Sequence, residues 1–290
     1  MISRTTVVMS MMMLAVCLAI PALAQQPNLV GHWAFDEGIG DVVGDSSGNF
    51  FHGTRNGPAW TTDSVAGGSA LEFFNPPNFD HVSLPSLIGG AADVNQFTLS
   101  VWFKVATDYE LQGPLLIEKN PFTGDLVEFM VDFRTANGDL NDGVKSETRE
   151  VIDPLAVPQL RDQDKLSAGR TDGAGTPLGV ADAQWHHAVL GKDGTTGFIY
   201  VDGIEEDSLT PLIALPSLGD SVAQIGNTGS GGNGFVGLID DVQLYDHYIG
   251  TDGIEFLFNN PGVAIPEPSS SILLAMGLLA LGSRGRRRKE

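Results

Sequence analysis

The stretch Phe97-Thr98-Leu99-Ser100-Val101-Trp102-Phe103-Lys104-Val105 decides the fold class. Apolar residues at 97, 99, 101, 103 and 105 alternate with Thr98, Ser100, Trp102 and Lys104, and that period of two places one apolar row on one face of a β-strand. A second strand is predicted over 126–134, and shorter ones over 29–35, 70–74, 81–84, 115–118, 185–190, 197–201, 223–226 and 235–245. Gly, Asn, Asp and Pro clusters separate them. Asp202-Gly203, directly after Tyr200-Val201, predicts a hairpin because both residues tolerate positive φ. One helix is predicted over 252–258, capped by Thr251 or Asp252, with Ile254, Leu257 and Phe258 toward a sheet. No fixed-period repeat is visible, which disfavours propellers and solenoids. Many strands in one large domain leave an all-β sandwich or barrel.

Outside this domain, the two ends read as addresses. Arg4, an apolar run over 7–20 broken only by Ser10, and the small-x-small pattern Ala22-Leu23-Ala24 predict a signal peptide over 1–24, cut after Ala24. A lipidated Cys17 is disfavoured by bulky Val16 before it. Cys17 is the only cysteine, so the mature chain has no disulfide and must be held by its core, by a metal, or by both.

At the other end Pro266-Glu267-Pro268-Ser269 precedes an apolar run over 271–282, followed by Arg284, Arg286, Arg287, Arg288 and Lys289. The prolines predict an extended, accessible segment. A helix over 271–282 is short against the ~20 residues a bilayer requires, which suits temporary residence better than lasting anchorage. The cations after it hold that end on the cytoplasmic side.

Between these ends, residues 25–282 carry 35 acidic against 10 basic side chains, a balance of −25 against −20 for the whole chain. Such a field repels phosphate backbones and anionic lipid, which argues against nucleic-acid binding and leaves positive partners, calcium above all. Most of these carboxylates are read as a solvated surface that keeps an exported protein soluble.

The ordered motifs carry a resemblance. Leu29-Val30-Gly31-His32-Trp33-Ala34-Phe35-Asp36-Glu37-Gly38, Asp45-Ser46-Ser47-Gly48-Asn49, Gly68-Ser69-Ala70-Leu71-Glu72-Phe73, the stretch 97–103, Gln184-Trp185-His186-His187-Ala188-Val189, Tyr200-Val201-Asp202-Gly203 and the run 235–245 follow one another as in the laminin-G-like branch of the concanavalin A-like lectin and glucanase superfamily. The resemblance implies an all-β, two-sheet antiparallel jelly-roll sandwich over 25–262, and places Trp33, Trp102 and Trp185 on its strands. The tail over 263–290 resembles the PEP-CTERM sorting signal of Gram-negative bacteria, with Pro266, Glu267 and Pro268 as its motif. That resemblance implies an exosortase-type processing enzyme as partner, transient inner-membrane anchoring, and a surface or matrix location beside exopolysaccharide.

Residues 134–184 exceed the usual family connection and read as a long insertion or loop, with an edge strand possible over 166–170. Asn137, Asp139 and Asn141 alternate as in a calcium loop, but Asp142 stands where the turn needs Gly. Related jelly rolls often tie the early loop to the last strand with a structural calcium ion. Here Glu37, Asp45, Asn49 and Asp240 are the candidate ligands, all hard oxygen donors. Asp240 is preferred over Asp241 because neighbours on a strand face opposite ways. The competing reading makes these residues turn-formers and caps.

Catalysis finds little support. Retaining glycanases need two carboxylates ~5 Å apart. Glu128 and Asp132 share a strand face, but four residues of strand separate them by ~13 Å. His186 and His187 point to opposite faces, and no Gly-x-Ser-x-Gly elbow occurs. The expectation is a non-catalytic carbohydrate- or protein-binding module; the alternative is a glycan-active enzyme with its site in the insertion.

Overall fold

A computed structural model describes residues 29–74, 79–88, 92, 95–106, 112–122, 125–132, 143–153, 160–168, 179–210, 218, 221–227 and 234–266. The signal peptide with Ala22 and Ala24, the Glu267 and Pro268 of the sorting motif, the helix expected over 271–282, and Asn137, Asp139 and Asn141 all lie outside the described residues. Among the described residues no helix is long and apolar enough to cross a membrane.

Among the described residues sixteen strands form two antiparallel sheets. They are β1 Leu29–Trp33, β2 Val42–Val43, β3 Gly53–Asn56, β4 Ala59–Thr61, β5 Ala70–Phe74, β6 His81–Leu84, β7 Gln96–Lys104 and β8 Gln112–Lys119, then β9 Leu126–Asp132, β10 Gly143–Asp153, β11 Leu160–Ala168, β12 His186–Asp193, β13 Thr196–Val201, β14 Ile204–Leu209, β15 Val222–Ile225 and β16 Val236–Tyr245. A helix, α1, spans Gly250–Asn259. One sheet runs β14-β13-β12-β7-β16-β5-β4, with β1 also on β16; the other runs β11-β10-β9-β8-β15-β6-β3-β2. The first strand thus pairs with the last, as the resemblance implies.

The period of two in β7 decides its packing. Phe97, Leu99, Val101 and Phe103 enter the core between the sheets with Val127, Phe129 and Val131 of β9 and Leu71 and Phe73 of β5. Thr98, Ser100 and Trp102 of the alternate row are buried too, because α1 and the turn before it cover that part of the sheet. Thr98 Oγ1 donates to the His247 carbonyl at 2.8 Å and accepts the Ile249 amide at 3.0 Å. Trp102 stacks on Phe258 with centroids 5.8 Å apart, and Ile254 and Leu257 are buried.

Two sequence expectations change. The α1 N-cap is Ile249 with no side-chain cap bond, rather than Thr251 or Asp252, since the turn is fixed by Thr98 from the sheet below. Residues 134–184 are not simply a loop: they supply β10 and β11, which pair with each other and through β10 extend the β9 edge, while β11 lies against β13 and β14 of the opposite sheet. The Asp202-Gly203 hairpin is as predicted, with φ of 50° and 78°.

Candidate functional site

The four candidate metal ligands each have protein partners. Asp45 staples the loop between β2 and β3: Oδ1 accepts the amides of His32 and Ser47 at 2.9 Å, and Oδ2 accepts the Phe51 amide and Ser47 Oγ at 2.9 Å. Burial pushes its carboxyl up, but those donors outweigh burial and hold it below the ordinary range. Asn49 turns its Nδ2 to the carbonyls of Leu29 and Val30 at 2.9 and 3.0 Å, and exposed Glu37 accepts the Gly44 amide at 2.8 Å. Asp240, on β16, holds a different loop, accepting the Val65 amide at 2.9 Å. Among the described residues no group of three or more His, Cys, Asp or Glu side chains is placed to hold a metal ion. The set does not fit a calcium shell: its acidic oxygens face backbone N–H donors, and the Asn49 amide presents nitrogen toward oxygen.

The alternation argument for Asp240 and Asp241 meets an irregularity. The pairing of β16 with β7 shifts between Asp240 and Gln243, and Asp241 has φ of 46°. Both carboxylates are buried. Asp241 Oδ1 lies 2.8 Å from His32 Nε2 and accepts Gln243 Nε2 at 2.9 Å, while Oδ2 accepts the Gly262 amide at 2.6 Å.

The other sequence candidates are also dispersed. Glu128 is buried on β9 opposite Ile117 and Glu147, and Asp132 ends the same strand opposite Gly143. His187 is fully buried, its Nε2 2.7 Å from Ser100 Oγ and its ring stacked on Trp102 at 5.0 Å, and burial pushes its pKa down to about 4. His186 faces the other way, between Asp182 and Asp202 at 3.0 Å each; burial opposes its charge, yet the two acids raise its pKa above the ordinary value. Sequence reasoning missed Glu118, which is fully buried and accepts the amides of Leu87 at 2.9 Å and Ile88 at 2.6 Å.

The four tryptophans separate. Trp33 is core, with Nε1 donating to the Phe51 carbonyl at 2.8 Å, and Trp102 lies under α1. Trp60 is half-buried, donating to the Gly40 carbonyl at 3.0 Å. Trp185 stands just before β12 rather than in the core, and its ring is half-buried. Its Nε1 donates to Asp63 Oδ1 at 3.2 Å, and Asp63 Oδ2 accepts Lys104 Nζ at 2.7 Å. Asp63 is half exposed, its side chain at 49%. An oriented indole, a carboxylate and an ammonium therefore meet at one surface: a flat apolar face beside an acceptor and a donor.

A two-sheet jelly roll with a helix on one face defines the class. Residues 76–254 match the model of the concanavalin A-like lectin/glucanases superfamily, and the chain belongs to that superfamily. Residues 264–289 match the PEP-CTERM protein-sorting motif, which makes this an exported, envelope-associated protein whose tail is addressed to an exosortase-type system. Similar solved structures include domain 4 of AbnA, a GH43 extracellular arabinanase from Geobacillus stearothermophilus, in complex with arabinotriose, at 19% identity and TM-score 0.55, covering 80% of this chain and 99% of that one. The binding domain of Paraclostridial Mosquitocidal Protein 1 aligns at 16% identity and TM-score 0.53, covering 80% of this chain and 52% of that one. Trypanosoma rangeli sialidase in complex with the inhibitor DANA aligns at 17% and 0.51, covering 79% and 32%. These likenesses show the fold. No match to a curated protein was found.

Proposed function

We propose that this protein is a non-catalytic binding module that holds a neutral polysaccharide at the cell surface or in the extracellular matrix, the cell's own exopolysaccharide being the leading ligand. The observation that carries this reading is the Trp185–Asp63–Lys104 surface. A pyranose presents C–H groups that stack on an indole face and hydroxyls that pair with a carboxylate and an ammonium. Its neutrality suits a chain of net charge −20, which repels anionic polymers. The arabinotriose-bound arabinanase domain supports the reading by fold. Catalysis is disfavoured because Asp45, Glu118, Asp240 and Asp241 bind backbone amides instead of facing one another across a cleft. The test is a glycan array and a hydrolysis screen on the purified exported chain. Binding lost in Trp185→Ala without turnover supports the module; turnover of any glycan replaces it with an enzyme.

A further inference from the structure

The sorting motif begins one residue after a segment that the folded domain grips. Gly262 donates its amide to Asp241 Oδ2 at 2.6 Å, and Ile265 donates its amide to the Tyr245 hydroxyl at 3.1 Å. Both acceptors belong to one buried chain, in which Tyr245 donates to Gln243 Oε1 at 2.7 Å, Gln243 to Asp241 Oδ1 at 2.9 Å, and Asp241 meets His32 of β1. Packing adds to it. A Cβ on Gly262 would lie 2.7 Å from the Ala66 Cβ, and a Cβ on Gly253 of α1 would lie 3.2 Å from Ile265 Cδ1, so backbone and side chain both sit against the body. Gly262 also has φ of 79°, a conformation that a side chain would strain. Ile265 is half-buried, whereas Pro266 is exposed.

We propose that Asp241 and Tyr245 are positioning residues for tail processing: they keep residues 262–265 on the domain, so that the enzyme receives Pro266 directly against a folded wall and must open this clamp to engage chain upstream of it. A processing enzyme binds its substrate as an extended strand through backbone N–H and C=O groups, and here two of those N–H groups are already committed. Local opening of residues 262–265 therefore precedes full engagement, and the clamp slows processing of the folded protein. The proposal rests on the tail being processed at all.

The test compares processing rates of the full chain in a bacterium carrying an exosortase-type enzyme, followed by intact mass. Tyr245→Phe removes one clamp bond and is expected to speed processing about fivefold, the factor corresponding to a typical hydrogen bond. Gly262→Ala is expected to act in the same direction. Inserting six Gly and Ser residues between Ile265 and Pro266 bypasses the clamp; processing then rises in the otherwise unaltered chain, and Tyr245→Phe adds nothing further. That lack of further effect separates positioning from a general loss of stability, which would act in both backgrounds. Faster amide exchange at Gly262 and Ile265 in Tyr245→Phe, with the β7 amides unchanged, is the matching signature. Equal rates for the unaltered, Tyr245→Phe and linker chains overturn the clamp. An unaltered chain that keeps its Arg-rich end overturns the sorting reading instead.

Discussion

Asp240 and Asp241 are neighbours on β16, yet they hold different segments of the chain: Asp240 Oδ2 accepts the Val65 amide at 2.9 Å and Asp241 Oδ2 the Gly262 amide at 2.6 Å. Their ionisation diverges accordingly. Burial, opposed by the Val65 and Ala66 amides and reinforced by the Asp241 charge, pushes Asp240 up to about 7. Burial also acts upward on Asp241, but His32, the Gly262 amide and Gln243 hold it below the ordinary carboxylate range. One member of the pair is thus protonated in mildly acidic solution while its neighbour stays charged.

That divergence fixes a pH response. The folded pKa of Asp240 exceeds its unfolded value, so its stabilising contribution is full below about 4 and is lost as pH rises through about 7. Urea unfolding should show Asp240 costing on the order of 2 kcal/mol between pH 5 and pH 8, after discounting for partial solvation. Asp240→Asn should remove that loss, so that the variant gains stability relative to the parent as pH rises across this segment. A slope unchanged by the substitution would show that the group titrates normally.

His187 acts with the opposite sign. Its folded pKa of about 4 lies below the ordinary 6.5, so the neutral ring is favoured and its contribution, present above 6.5, is lost as pH falls toward 4. About 3 kcal/mol is at stake at full loss. His187→Gln should remove this acid slope while lowering the melting temperature at neutral pH, because the stack between Trp102 and Phe258 is disrupted. The two groups act in opposite directions between pH 5 and 7, and the single variants separate them.

How much of this was legible depended on which side chains carried the signal. β7 was readable because Phe97, Leu99, Val101 and Phe103 form one apolar row, and the β13–β14 turn because Asp202-Gly203 leaves few alternatives. β10 and β11, written Gly-Val-Lys-Ser-Glu-Thr-Arg-Glu-Val-Ile-Asp and Leu-Arg-Asp-Gln-Asp-Lys-Leu-Ser-Ala, show no alternation of apolar and polar residues, so pairing with each other and, through β10, with β9 rather than pattern makes them strands. Thr98, Ser100 and Trp102 form the alternate row, and nothing local in sequence shows that they are buried, since α1 covers them from about 150 residues away. Residue type alone marks candidate ligands in a sequence. Which way a carboxylate turns depends on loop amides that no local pattern reveals, and Trp185 stands out only with Asp63 and Lys104, distant in sequence, beside it.

The stapling role of Asp45 predicts indifference to calcium. An ion that binds only the native state raises the melting midpoint in proportion to its occupancy. With the Asp45 oxygens occupied by four protein donors, millimolar calcium and a chelator should give the same midpoint. Asp45→Ala, by contrast, should cost about 2–3 kcal/mol by leaving the His32 and Phe51 amides without an acceptor. A rise with calcium that Asp45→Ala abolishes would restore the metal reading.

Glu118 should prove the most sensitive of the buried acids. Ser86 Oγ at 3.0 Å, the Leu87 amide at 2.9 Å, the Ile88 amide at 2.6 Å and Ser221 Oγ all donate to it, so one side chain closes the loop after β6 onto the start of β15. Burial raises its pKa despite these donors, so its contribution weakens as pH rises. Glu118→Ala leaves two buried amides unpaired and opens a cavity, a loss of about 3–5 kcal/mol. Glu118→Gln keeps one acceptor oxygen but sets an NH2 group against incoming donors, which should recover less than half of that loss at pH 7. Because Glu118 is an acceptor on the opposite sheet from Trp185, neither substitution should change glycan affinity in chains that remain folded. Calorimetric melting paired with glycan titration checks both points, and a Glu118→Gln chain as stable as wild type but unable to bind would move the binding site to this end of the second sheet.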